Sequence, residues 1–107
     1  MPTSESEGSQ TAVISTEHTL DTITTAGTYV LNVDTSNMVT ADFLILRVKE
    51  KIRSTGTTRL AYWSTYFCTQ SANADLSIPV ASLNEYVVTL EQTEGTGRAY
   101  NWEIASL

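Results

Sequence analysis

The sequence predicts an all-β protein: one antiparallel β-sandwich of about seven or eight strands. Three observations carry this. Thr occurs 18 times and Ser 11 times, and with Val, Ile, Tyr and Trp they make a composition suited to half-buried strands. Several stretches alternate apolar and polar residues with period two. No stretch keeps the 3.6-residue apolar period of a helix. Closely spaced antiparallel strands in this number close into a sandwich or small barrel, and a sandwich of jelly-roll or immunoglobulin-like topology is favoured.

The elements follow along the chain. Residues 1–10, MPTSESEGSQ, are polar and acidic. They are read as an arm outside a domain covering 11–107, and as neither a signal peptide nor a basic transit peptide. Residues 11–24 hold one or two edge strands, TAVIST and TLDTIT. A turn at Ala26 and Gly27 opens the strand GTYVLNVD. The connection DTSNMVTAD has room for one helical turn around 36–39. In 42–52, Leu44, Leu46, Val48 and Ile52 share one face, and Phe43, Ile45, Arg47, Lys49 and Lys51 the other. The loop RSTGTT and the strand RLAYWSTYF complete a hairpin with its tip at 54–58. LSIPV is short, and Pro79 confines it to an edge or a bulge. In 86–92, Tyr86, Val88 and Leu90 point one way. In 98–104, Tyr100, Trp102 and Ile104 do the same. TEGTG between these runs predicts a second hairpin near 85–105, with its tip at 94–97.

The glycines of EQTEGTGRAYNWEI raise the possibility of a phosphate cradle. Such a loop needs a helix N-terminus behind it, whose free N–H groups meet the anion. A strand follows here, and no Gly-Lys-Ser/Thr ending is present, so the loop is read as structural.

Bulk properties narrow the function. A chain of 107 residues makes a single domain. No apolar run reaches the ~20 residues of a membrane helix, so no membrane role is expected. The net charge of −6 argues against nucleic-acid binding. Cys68 is the single cysteine. It excludes an intramolecular disulfide and a CxxC site, fits assembly in a reducing compartment, and is read as a small buried hydrophobe.

Chemistry is sparse. His18 is the single histidine and lies in a polar edge segment, so a surface role is favoured over a Ser-His-Asp triad. A calcium loop starting at Asp34 would need Gly and Glu where Val39 and Ile45 stand. Glu50, Glu85, Glu91 and Glu103 are read as solvated rather than as a glycosidase pair. Trp63, Trp102, Tyr62, Tyr66 and Tyr100 suit core packing better than a sugar platform. The expectation is a non-enzyme with no catalytic residue, cofactor, metal or small-molecule substrate.

Charge distribution is more informative than its sum. Residues 47–59 hold five of the six basic residues and net +4, while the remainder nets −10. Phe43, Ile45, Arg47, Lys49, Lys51, Arg53 and Arg59 are therefore a candidate protein interface, apolar at one end and cationic at the other. The alternative is a solvated outer face.

The series TYVLNVDTSNM, LILRVKEKIRSTGTTRLAYWSTY and SIPVASLNEYVVTLEQTEGTGRAYNWEI resembles small virion proteins of tailed bacteriophages, in the style of capsid decoration, or cement, proteins. The likeness covers residues 11–107. It implies a structural protein made in the host cytoplasm and placed on the outer capsid surface. Its partners would be the major capsid protein and copies of itself, as a dimer or trimer. A tail, baseplate or fibre module contacting a receptor or glycan is the alternative.

Overall fold

The computed structural model describes residues 3–39, 41–67, 74–76 and 79–107, and Cys68 lies outside them. The described residues form nine strands: β1 (Thr3–Thr11), β2 (Glu17–Ile23), β3 (Gly27–Asp34), β4 (Phe43–Lys51), β5 (Thr58–Phe67), β6 (Ala74–Leu76), β7 (Val80–Ser82), β8 (Glu85–Glu94) and β9 (Ala99–Ser106). One sheet runs β1-β9-β3-β6, with β7 also on β3, and the other runs β2-β8-β4-β5. All pairings are antiparallel.

The order is that of a jelly roll. β6 and β7 occupy successive halves of the same edge of β3, at Asn32–Asp34 and Gly27–Tyr29 respectively, so together they act as one strand. The chain then reads as a long two-stranded ribbon. β1 lies on β9, β2 on β8 and β3 on β6 and β7, with the β4–β5 hairpin at its tip. Rolling the ribbon adds the pairings β3–β9 and β4–β8 and closes two sheets over one core.

The period-two faces become that core. Tyr29, Leu31 and Val33 of β3 and Tyr100 and Ile104 of β9 are buried. They belong to one cluster with Leu44, Leu46 and Val48 of β4 and Tyr86, Val88 and Leu90 of β8, joined by Met38 and Val80. Tyr29 and Tyr86 bridge the sheets with ring centroids 5.0 Å apart. Each large side chain buried this way contributes about 1.5–3 kcal/mol. Trp102 packs partly buried against the cluster. Ile52, placed inside by alternation, is exposed in the turn after β4, because the strand ends one residue before it.

Four expectations are corrected. The 85–105 segment is not a hairpin. β8 and β9 lie in different sheets, and the glycine loop between them is a sheet-to-sheet corner. Of residues 1–10, read as an arm outside the domain, the described part from Thr3 onward belongs to the sandwich. β1 pairs along β9 from Thr3 opposite Ser106 to Thr11 opposite Ala99, so it is a sandwich strand whose stability comes from the ladder. The predicted strand TAVIST is instead the crossover between β1 and β2, with Ser15 at φ 62°. Among its described residues the connection after β3 is a turn without helix, in which Ser36 N–H donates to Asp34 Oδ1 at 2.9 Å and Met38 N–H to Thr35 O at 3.0 Å.

The corner is built from buried polar groups. Gln92 and Asp42 are both fully buried. Gln92 Nε2 donates to the carbonyls of Glu94 and Thr96 at 3.0 and 2.8 Å. Its Oε1 accepts from Arg98 N–H at 3.2 Å and Tyr100 O–H at 2.9 Å. Asp42 accepts from Val39 N–H, Thr96 N–H and Arg98 Nε at 2.9, 3.3 and 3.1 Å. Gly95 stands at φ 87° and Gly97 is tightly packed; a Cβ on the first would overlap the Asp42 carboxylate and on the second the Ala12 carbonyl. Any side chain at either position disrupts the corner.

Two stability outcomes follow. Deleting residues 1–11 uncovers the β9 ladder and is expected to lower Tm by roughly 10 °C or more, read by calorimetry; an unchanged Tm contradicts the role given to β1. Burial, with the Asp42 charge adding to it, pushes the Tyr100 phenol up to about 12 from its ordinary 10. A raised folded value gives stability that is complete below pH ~10 and lost as pH rises towards 12. Tyr100→Phe is expected to flatten the alkaline limb of a denaturation series while costing about 1 kcal/mol at neutral pH, because the buried Gln92 oxygen loses one of its two donors and keeps Arg98 N–H.

Candidate functional site

The strongest sequence candidate, the basic hairpin, forms the outer face of the β2-β8-β4-β5 sheet. Phe43, Ile45, Arg47, Lys49 and Lys51 line that face of β4, as alternation requires, since Leu44, Leu46 and Val48 are buried beneath. The structure does not bring all seven residues together. Arg53 sits exposed in the turn after β4. Arg59 pairs with Glu50 in the β4–β5 ladder, on the opposite side of the ribbon from Lys49 and Lys51.

Neighbouring strands complete the face. One row across the sheet reads Glu17, Glu91, Ile45, Thr65, and the next reads Thr19, Thr89, Arg47, Trp63. Glu17 of β2 thus stands directly opposite Glu91 of β8, an arrangement that destabilises a ladder when both are charged. Arg47 resolves it. Its Nη1 donates to Glu91 at 2.8 Å and lies 3.5 Å from Glu17, while Lys49 reaches Glu17 at 2.9 Å. Thr89 lies buried beneath and donates its hydroxyl to Glu17 at 2.6 Å. Lys51 stands in register with Glu85, which accepts a hydrogen bond from Thr58. Arg47, Lys49 and Lys51 therefore share their face with Glu17, Glu85 and Glu91. The basic stripe is balanced where it sits, and Glu85 and Glu91, expected to be solvated, have partners.

The rim of this face is apolar. Phe43 packs on Phe67 with ring centroids 5.7 Å apart, and Trp63 and Leu60 are exposed along β5. Trp63 departs from the core role expected for the aromatic set; Tyr62 and Tyr66 on alternate positions pack against the core. The signal available in the sequence was period two itself, which puts Trp63 opposite in sense to Tyr62.

The other chemical candidates have structural positions. His18 Nε2 accepts the Val13 N–H at 3.0 Å and pins the β1–β2 crossover. Asp34 caps the turn after β3, and its hydrogen bond from Ser36 holds the carboxyl below its ordinary value. On the outer face of the other sheet lies an open depression of about 490 Å³, lined by Glu7, Asn32, Asp34, Asn101 and Glu103 among others. Its carboxylates disfavour an anionic ligand. Among the described residues no group of three or more His, Cys, Asp or Glu is arranged to hold a metal ion, and no helix is long and apolar enough to cross a membrane.

No family model matches the chain, and no curated protein or solved structure matches it.

The ion-pair cluster makes a definite pH prediction. The Thr89 hydrogen bond, reinforced by Lys49 and Arg47 and opposed by partial burial, holds the Glu17 carboxyl below its ordinary 4.5. A depressed folded value gives stability that is complete above pH ~4.5 and lost as pH falls through the folded value. Glu17→Gln is expected to flatten the acid limb of urea denaturation, at a neutral-pH cost of no more than ~1 kcal/mol because the pair is partly solvated. Arg47→Met is expected to cost more, about 1–2 kcal/mol, because it leaves Glu17 facing Glu91.

Proposed function

We propose that this chain is a non-enzymatic structural protein of a tailed-phage virion. It binds the outer surface of the assembled capsid and braces neighbouring subunits. One observation carries the non-enzymatic part: the polar side chains with the makings of chemistry are engaged in holding the roll together. His18 pins a crossover, Asp42 and Gln92 build the corner, and Glu17 and Glu91 are held by Arg47. The capsid part rests on the resemblance of the strand and turn segments to decoration proteins. Two facts support it. Eight-stranded jelly rolls recur as viral capsid domains, an analogy at the level of fold. The chain's charge of −6 opposes contact with packaged genome and favours the outside of a shell.

The tail or fibre alternative gains from exposed Trp63 on the same outer face as the Phe43–Phe67 pair, since aromatic faces stack on sugars and jelly rolls also serve as lectins. Co-sedimentation separates the two. Purified protein mixed with shells of the virus that encodes it is expected to pellet with them, saturating at a ratio set by the capsid lattice. Binding to host-surface glycan without binding to shells favours the alternative. Failure to bind either one removes both.

A further inference from the structure

β1 is the long strand that the core does not hold. Among the described strands of seven residues or more, each of the others places side chains in the apolar cluster or against it. β2 supplies Leu20 and Ile23, β5 supplies Tyr62 and Tyr66, and β3, β4, β8 and β9 supply their inward faces. β1, TSESEGSQT, has no aliphatic or aromatic residue, and none of residues 4–11 is buried apart from water. The side-chain hydrogen bond it makes among the described residues, Gln10 Nε2 to Thr11 O at 3.0 Å, stays within the strand. Its ladder also carries a repulsion. Glu7 stands opposite Glu103, and β1, β3 and β9 contain no Lys or Arg to lie between them.

The chain just after β1 is fixed independently. Ala12 belongs to the core, and its N–H donates to Arg98 O at 2.8 Å. Val13 N–H donates to His18 Nε2 at 3.0 Å and Ser15 N–H to Gln92 O at 2.8 Å. None of these bonds involves β1, so the strand has a pivot between Thr11 and Ala12. What lies beneath it is specific. β9 keeps β3 on its other side. Opposite Trp102 it favours glycine, because a Cβ on Gly8 would come within 3.1 Å of the indole ring. Near its other end it matches a register break between Ser4 and Ser6.

We propose that β1 is an exchangeable strand: it detaches as a unit at the pivot and pairs with β9 of a second copy, which returns its own β1. Sequence selects the occupant, since β1 of another copy brings Gly8 to Trp102 and the break to its place. Reach permits it. Nine extended residues span about 30 Å, on the scale of a molecule measuring 41 × 30 × 18 Å. The exchanged ladder repeats the internal one contact for contact, Glu7 opposite Glu103 included, so no new complementary surface is required. The cost that remains is association itself, which protein concentration offsets.

Two measurements on the full chain test this. Detachment is read by native-state hydrogen exchange. Amides of β1 are expected to exchange at least roughly tenfold faster than those of β8, through an opening smaller than global unfolding. Strand exchange is read by a disulfide trap. Ser9 and Asn101 are exposed and directly opposed in the β1–β9 register, within disulfide reach. Chains carrying Cys68→Ser and Ser9→Cys are mixed in a redox buffer with chains carrying Cys68→Ser and Asn101→Cys, and the covalent heterodimer is resolved by mass. It is expected to form roughly tenfold or more faster than with partner chains carrying Cys68→Ser and Thr19→Cys, because register pairing raises the effective concentration. Thr19 is an exposed position on β2, so that pair reports random collision. The proposal is overturned if β1 amides are protected as strongly as those of β8, or if the matched pair cross-links no faster than the control pair. The hydrogen-exchange measurement needs no substitution, so it decides alone if Cys68→Ser fails to fold. The proposal does not rest on the capsid reading: strands that exchange in a protein that ignores shells defeat that reading and leave this one standing.

Discussion

The roll depends on closing one end, and that end is closed by two buried side chains, Gln92 and Asp42. A jelly roll carries the chain from sheet to sheet at almost every connection, and each crossing strands backbone groups that no ladder can satisfy. Here three crossings meet: β1 to β2, β3 to β4, and β8 to β9. Gln92 uses both amide hydrogens and both oxygen lone pairs on the β8–β9 crossing, while its own backbone carbonyl accepts Ser15 N–H from the β1–β2 crossing at 2.8 Å. Asp42 ties the β3–β4 crossing to Thr96 and Arg98. Ala12 N–H donates to Arg98 O at 2.8 Å, and Asn37 Nδ2 to Ala99 O at 2.6 Å. A network this complete specifies one arrangement, and a partly satisfied one would be worse than an apolar core. The burial of an aspartate is tolerable because Arg98 and two backbone N–H groups meet it.

The strands were largely legible in the sequence, and their partners were not. Alternation assigned the inward faces of β4, β8 and β9, because burial on a pleated sheet has period two whatever lies next door. The β4–β5 hairpin was also legible, since it is the tip of the ribbon and its partners are neighbours in sequence. Every other pairing is long-range. TEGTG and STGTT look alike as strings, yet one is a corner and the other a hairpin turn. What distinguishes them is Asp42 and Ala12 packed against Gly95 and Gly97, contacts that no local pattern encodes. β1 was missed for a related reason. Its Ser and Glu side chains are mostly exposed, so it has little apolar signature and is held by backbone pairing along β9.

The candidate site divides the same way. That Phe43, Ile45, Arg47, Lys49 and Lys51 share one face follows from their spacing. That Arg47 and Lys49 serve two opposed glutamates does not, because Glu17 and Glu91 meet only through the pairing of β2 with β8. The segmental charge of +4 therefore overstated the free cationic surface. Once Glu17, Glu85 and Glu91 are placed beside the lysines and Arg47, a long-range electrostatic role for this face loses force, and its apolar rim gains relative weight.

That shift decides where the molecule is able to act. Buried Asp42 and Gln92 are committed to the corner and the crossings, and its middle surface is internally neutralised. Exposed apolar surface on the outer face is concentrated along β5, at Leu60, Trp63 and Phe67. The roll also separates this edge from the chain ends. Thr3 lies opposite Ser106, so both ends emerge along β1 and β9, beside β2. β5 lies at the far edge of the other sheet, three strands beyond β2. A rolled ribbon thus places its ends and its tip hairpin on opposite edges, and this keeps the apolar rim of β5 apart from the ends of the chain.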